Sequence, residues 1–137
     1  MNRAIRIAHK VRRICEKIAR RKISRSYDFY KEDNLSCMCA IASTCLSRIY
    51  DKEGINNIFV VGKFNNRNRH CWVELIDENL IVDITATQFS GHFKKAHMTP
   101  TDDDSYDKTN VDKLEDWPET QRPNEQIVSK IMREYLK

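Results

Sequence analysis

The sequence predicts an α+β fold, helices packed around a small antiparallel sheet, and three observations predict it. Apolar residues recur at helical spacing from Leu35 to Tyr50, a β-branched run follows at Ile58 to Val61, and two strand-like segments, His70 to Ile76 and Leu80 to Thr85, flank the turn-forming Asp77-Glu78-Asn79. A helix, a short buried strand and a hairpin in that order call for a sheet with helices laid against it.

The elements follow in chain order. From Asn2 to Ser24, Ile5, Ala8, Val11 or Arg12, Cys15 and Ile18 fall near one helical face, widened by Ile7 and Ile14, so the opening segment (1–25) reads as a basic amphipathic helix. Tyr27, Phe29 and Tyr30 form an aromatic cluster suited to sealing a core edge. Asp33 and Asn34 are good N-cap residues, and Leu35, Met38, Ala42, Cys45, Leu46 and Ile49 place a second helix from about Ser36 or Cys37 to Tyr50. Gly62 to Arg69 is polar and reads as a connecting loop. In the next strand His70, Trp72, Glu74 and Ile76 share one face and Cys71, Val73 and Leu75 the other, with Asp83 on the returning strand. Beyond Phe89 the pattern weakens into an acidic, turn-rich stretch (100–123) read as loop. Ile127, Ile131, Met132 and Tyr135 then mark a final helix over 124–137.

A chain of 137 residues with 40% hydrophobic content suits a single domain with one modest core over 1–137. No run approaches the roughly 18 apolar residues that span a bilayer, and arginines interrupt any signal-peptide core, so no membrane partner and a cytoplasmic location are expected. Five irregularly spaced cysteines suit a reducing compartment. Met1 to Arg25 carries ten Lys or Arg and one acid, while Thr101 to Glu125 carries nine acids and three bases. The favoured reading is that these poles attract one another or solvate the surface; nucleic-acid binding is a less favoured use of the basic end. Oligomeric state is not legible.

The chemistry is carried by a thiol, an imidazole and a carboxylate. A cysteine is a nucleophile as the thiolate, which a helix N-terminus and a neighbouring imidazolium both favour. Cys37 and Cys39 both lie in the first turn of the second helix, and His70 and Asp83 lie on adjacent strands as base and orienting acid. Small residues follow Cys39, in Cys39-Ala40-Ile41-Ala42-Ser43, and would let a substrate approach; Cys39 is therefore the chosen nucleophile and Cys37 the competing one. The Cys39 backbone N–H is a natural oxyanion donor. Asn34 and Gln88 are candidate supporting donors, with capping and strand-end hydrogen bonding as their ordinary roles. Trp72 is a candidate shield for the His70–Asp83 pair or a core tryptophan.

The segments Asn34 to Tyr50 and His70 to Phe89 resemble the core of the transglutaminase-like branch of papain-like cysteine enzymes. The order Cys, His, Asp agrees, His70-Cys71-Trp72-Val73-Glu74 has the histidine before an aromatic strand, and Ile81 to Phe89 is similar to the aspartate strand of small members. A glycine is common in relatives where Cys37 stands. The resemblance implies a catalytic core over 34–89, a papain-like fold, a Cys39-His70-Asp83 triad, a peptide or protein substrate and no cofactor. Peptidase, amidase or deamidase action and acyl transfer share its first step, a thioester on cysteine.

Two rivals are weighed against it. Cys37, Cys39, His70 and Cys71 could supply four zinc ligands, but their spacing is poor for a zinc knuckle, and no metal is expected. A non-catalytic binding or inhibitory protein would use the basic first helix on nucleic acid or an acidic protein partner.

Overall fold

The computed structural model describes residues 2–21, 35, 38–108 and 113–137. The aromatic cluster Tyr27, Phe29 and Tyr30, the expected caps Asp33 and Asn34, and Cys37 lie outside the described residues. Among those described, the fold is α+β: helices α1 (Asn2–Arg21), α2 (Cys39–Lys52) and α3 (Glu125–Leu136) accompany strands β1 (Asn57–Phe64), β2 (Asn68–Leu75), β3 (Leu80–Asp83), β4 (His97–Pro100) and β5 (Tyr106–Asp107). The strands form one antiparallel sheet in the order β4-β3-β2-β1-β5. No described helix is long and apolar enough to cross a membrane.

The helical stripes find a common core with the sheet. Ile7, Val11 and Ile18 of α1, Ile41, Leu46 and Ile49 of α2, Val73, Leu75 and Val82 of the sheet, and Ile127 and Ile131 of α3 belong to one apolar cluster. Ile5 does not share in it as the spacing suggests: it is half-buried, and the buried stripe centres on Ile7, Val11, Ile14 and Ile18. α3 begins where Asn124 accepts hydrogen bonds from the N–H groups of Gln126 (3.0 Å) and Ile127 (3.3 Å), the usual work of an asparagine cap.

Three expectations are corrected. The second helix starts at Cys39 rather than Ser36 or Cys37, with Met38 as its N-cap and no side-chain cap. The expected loop at Gly62 to Arg69 is the heart of a hairpin: β1 runs on to Phe64, β2 begins at Asn68, and only Asn65 to Arg67 turn. Asn65 and Asn66 take positive φ (53° and 58°), which asparagine tolerates better than most residues. Gly62 is needed where it stands, because a Cβ there would collide with the Asp107 carbonyl of β5 and the Trp72 ring. The stretch beyond Phe89 is not all loop, since β4 and β5 add to opposite edges of the sheet. β5 is two residues long, too short to leave a period-2 signature.

Of the bases of α1, Arg12 is spent on packing, whereas Arg3, Arg6, Arg13, Lys17 and Arg20 are exposed. Arg12 is 1% exposed. Its guanidinium donates to the Ile84 carbonyl and to Thr87 Oγ1, each at 2.8 Å, and pairs with Glu16 at 3.1 Å. Lys17 pairs with Glu134 and Arg3 with Glu53. These pairs fasten α1 to α3 and to the end of α2, not to the acidic segment 101–125; within that segment, Glu125 pairs with Arg48 of α2.

Candidate active site

The position of Cys39 follows from how α2 meets β2. β3 pairs with β2 only over Val73–Leu75, so the edge of β2 before Val73 has no strand beside it on that side. The first turn of α2 docks there. Ser43, one turn after Cys39 and hence on the same helical face, donates its hydroxyl to the Cys71 carbonyl at 3.1 Å. Cys39, Ala40, Cys71 and Trp117 form a small apolar cluster around the thiol, which is 6% exposed.

The thiol lies against the strand itself, accepting from the Cys71 backbone N–H, and so reaches side chains on both faces of β2. His70 and Cys71 both act on it, although alternation puts those two side chains on opposite faces. Four donors or charges thus act on one sulfur. The Cys71 thiol contributes most to lowering the Cys39 pKa; burial opposes it, and the His70 hydrogen bond, the His70 charge and the Cys71 N–H reinforce it. The balance brings Cys39 from the ordinary thiol range to about 5. Its place as first residue of α2 acts in the same sense. Cys71 moves the other way, held protonated by its hydrogen bond to Cys39 and by burial.

His70 and Asp83 are fully buried. The His70 Nε2 nitrogen lies 2.6 Å from Asp83 Oδ2. With Nε2 engaged, Nδ1 is the nitrogen left for Cys39. Burial works against a charged imidazole, but the Asp83 charge and hydrogen bond, with those of Cys39, outweigh it and raise the His70 pKa to about 10. Asp83 is itself saturated. Tyr106 donates its hydroxyl to Oδ2 at 2.7 Å, and Thr85 donates its backbone N–H to Oδ1 at 3.0 Å. Burial would raise the Asp83 pKa; the His70 charge and these hydrogen bonds bring it below the usual carboxylate range. Near neutral pH these shifts all favour the ion pair of Cys39 and His70 beside an ionised Asp83.

Aromatic rings wall this row from solvent. Phe89 meets the His70 ring edge-on at 4.7 Å, and Trp72 lies beside it at 5.9 Å while packing on Tyr106 at 5.0 Å. Trp72 thus serves both as a core residue and as a wall of the histidine. Over the thiol opens a cavity of about 390 Å³, bounded by Gln88, Phe89, Trp117, Gln121 and the hairpin residues 67–69. The Gln88 amide nitrogen is 3.4 Å from both His70 Nδ1 and Thr85 Oγ1, long contacts that hold it loosely at the cavity wall. Trp117 is 2% exposed, and its indole N–H is the buried side-chain polar atom without a hydrogen-bond partner among the described residues. A buried donor with no acceptor costs about 1–3 kcal/mol, so its presence beside a thiolate calls for a chemical reason.

Of the residues expected from sequence, Cys39, His70 and Asp83 come together, with Gln88 and Trp72 beside them; Cys37 and Asn34 lie outside the described residues. Tyr106, Thr85, Cys71 and Trp117 complete the site without having been expected in these roles. The described residues contain no cluster of three or more His, Cys, Asp or Glu side chains fit to hold a metal ion. The chain matches no protein-family model, no curated protein and no solved structure.

Proposed function

We propose that the protein is a cysteine-dependent amide-processing enzyme with a papain-like or transglutaminase-like core, acting through a thioester on Cys39. One observation carries the reading: a thiol at the start of α2 set beside an imidazole whose Nε2 is held at 2.6 Å by a buried carboxylate. Structural packing gives no reason to bury three ionised groups in contact; nucleophilic catalysis does.

In the first step the Cys39 sulfur attacks the carbonyl carbon of an amide, and the carbonyl π pair moves to oxygen. As the C–N bond breaks, the leaving nitrogen takes the Nδ1 proton of His70, which Asp83 holds in place. A thioester and neutral imidazole remain. Water, or an amine in the acyl-transfer variant, then attacks the thioester while His70 accepts its proton, and the thiolate leaves. The transient oxyanion needs donors. The Cys39 backbone N–H, at the head of α2, is one, and the unpartnered indole N–H of Trp117, a residue that lines the cavity over Cys39, is the candidate for the second.

The test is intact-mass analysis of alkylation by iodoacetamide. Cys39 is expected to label selectively, with loss of the signal in Cys39→Ser and slowing in His70→Ala. The sign of the pH dependence follows from the site. The thiolate is present above about pH 5 and is protonated below it, so labelling should be half-maximal near pH 5 rather than near an ordinary thiol's pKa of about 8.5. Amide turnover also needs the imidazolium proton, and should fall as pH rises through about 10. Equal, slow labelling of Cys15, Cys39, Cys45 and Cys71, which are all free thiols, would sink the proposal.

Trp117→Phe separates the donor from the thiolate. Thioester formation from p-nitrophenyl acetate should slow by about 10²-fold, because a tetrahedral oxyanion loses a donor. Alkylation by iodoacetamide, which forms no oxyanion, should keep its rate. A parallel fall in both would assign Trp117 to packing alone.

The rival reading, a binding protein using basic α1, draws less support, because Arg12, Arg3 and Lys17 of that helix are engaged within the fold. Binding that falls steeply with salt and ignores Cys39→Ala would favour it.

A further inference from the structure

The cavity over Cys39 does not end at its own walls. It adjoins a larger one of about 660 Å³, and Arg67, Asn68, Gln88 and Phe89 line both. The floor of the larger cavity is aromatic: Phe64 and Phe89 stack at 4.3 Å, with Phe93 edge-on to Phe64. Its remaining lining is neutral and polar, including Ser90 and Ser105. Both volumes fall in the range of ligand-binding clefts.

Arg67 stands where the two meet. The positive-φ pair Asn65 and Asn66 closes the β1–β2 hairpin, and the Arg67 N–H bonds back to the Phe64 carbonyl at 3.2 Å, so this turn sets an exposed guanidinium on the shared rim. Arg69 lines the Cys39 side as well. Among the described residues, neither lining contains an Asp or Glu. A cleft whose described lining offers cationic and neutral donors and no carboxylate suits an anion, and the exposed Arg67 guanidinium suits a carboxylate in particular. Because the cleft continues on both sides of Arg67, a bound chain runs past it. The recognised carboxylate is then a side chain, not a chain end.

We propose that the substrate is an extended peptide segment with an acidic side chain close to the attacked amide, and that Arg67 reads that carboxylate while the Phe64–Phe89 floor takes an apolar neighbour. This inference rests on the cysteine-enzyme reading and names its substrate class.

The experiment uses the full chain and two alkylating probes of different charge, iodoacetamide and iodoacetate, with Cys39 modification followed by intact mass. Arg67→Glu should lower the iodoacetate-to-iodoacetamide rate ratio by about threefold to tenfold, and Arg67→Ala by less. Blocked hexaglutamate should also protect wild-type Cys39 from iodoacetamide better than blocked hexaglutamine or oligothymidylate, and Arg67→Glu should abolish that preference. Fast iodoacetamide labelling with an unmoved ratio and no preferential protection overturns the role of Arg67 and leaves the thiolate intact. Protection by oligothymidylate equal to or above that by hexaglutamate overturns the peptide in favour of nucleic acid. Slow iodoacetamide labelling of wild-type Cys39 overturns the enzyme reading, and this inference with it.

Discussion

Asp83→Asn is expected to slow thioester formation on Cys39 by roughly 10³- to 10⁴-fold, the scale seen when a triad carboxylate loses its charge but keeps its shape. The reason is local. Asp83 accepts from His70 Nε2, Tyr106 and Thr85 at once, and its charge heads the influences that raise the His70 pKa. An amide there offers one acceptor oxygen in place of two and no charge, so the imidazolium that stabilises the thiolate is lost near neutral pH. The burst of p-nitrophenolate from p-nitrophenyl acetate at pH 7 measures the step. Thermal melting of the variant separates a chemical effect from an unfolded site. A burst within tenfold of wild type would remove Asp83 from the machinery.

Arg12→Met is expected to destabilise the fold by about 3–5 kcal/mol, the usual cost of removing one partner of a buried ionic network. Methionine fills much of the space but donates nothing. The Ile84 carbonyl and Thr87 hydroxyl would lose a donor, and Glu16, which pairs with Arg12 at 3.1 Å and with Lys95 at 2.8 Å, would lose the first of these. Ile84 belongs to the turn that follows Asp83, and Thr87 to the short 3₁₀ segment Ala86–Gln88 that continues it. Arg12 is thus a bracket between the first helix and the active-site turn, and the same variant should slow Cys39 labelling under conditions where it remains folded. Urea titration of wild type, Arg12→Met and Arg12→Lys gives the comparison. A loss below about 1 kcal/mol in Arg12→Met would show that water replaces the guanidinium without cost.

Much of this architecture was legible before the fold was known. Leu46 and Ile49 at helical spacing announce α2, Ile127 and Ile131 announce α3, and alternation from His70 places it on a strand antiparallel to the one bearing Asp83. Local sequence carries such features because each depends on one periodicity and one apolar face. Gly62 to Arg69 misleads for the opposite reason: its polar composition matches a loop, whereas strand pairing to β2 overrides composition once Val60 and Phe64 have a face to bury. Arg12 is legible in part: its helical position offered it beside Val11 on the apolar face, and both are buried, but nothing local names the partners it meets there.

The candidate site divides the same way. The types and order of Cys39, His70 and Asp83, and the helix and paired strands that carry them, follow from the chain read locally, although the helix starts two or three residues later than its sequence suggests. Which groups close around them does not. Tyr106 reaches Asp83 from a two-residue strand 23 positions away, Trp117 comes from within the acidic stretch, and Cys71 serves the thiol only because β3 ends early and exposes the edge of β2 to α2. Those contacts depend on long-range packing and strand register, which leave no periodic trace in the sequence, so only the folded chain could decide them.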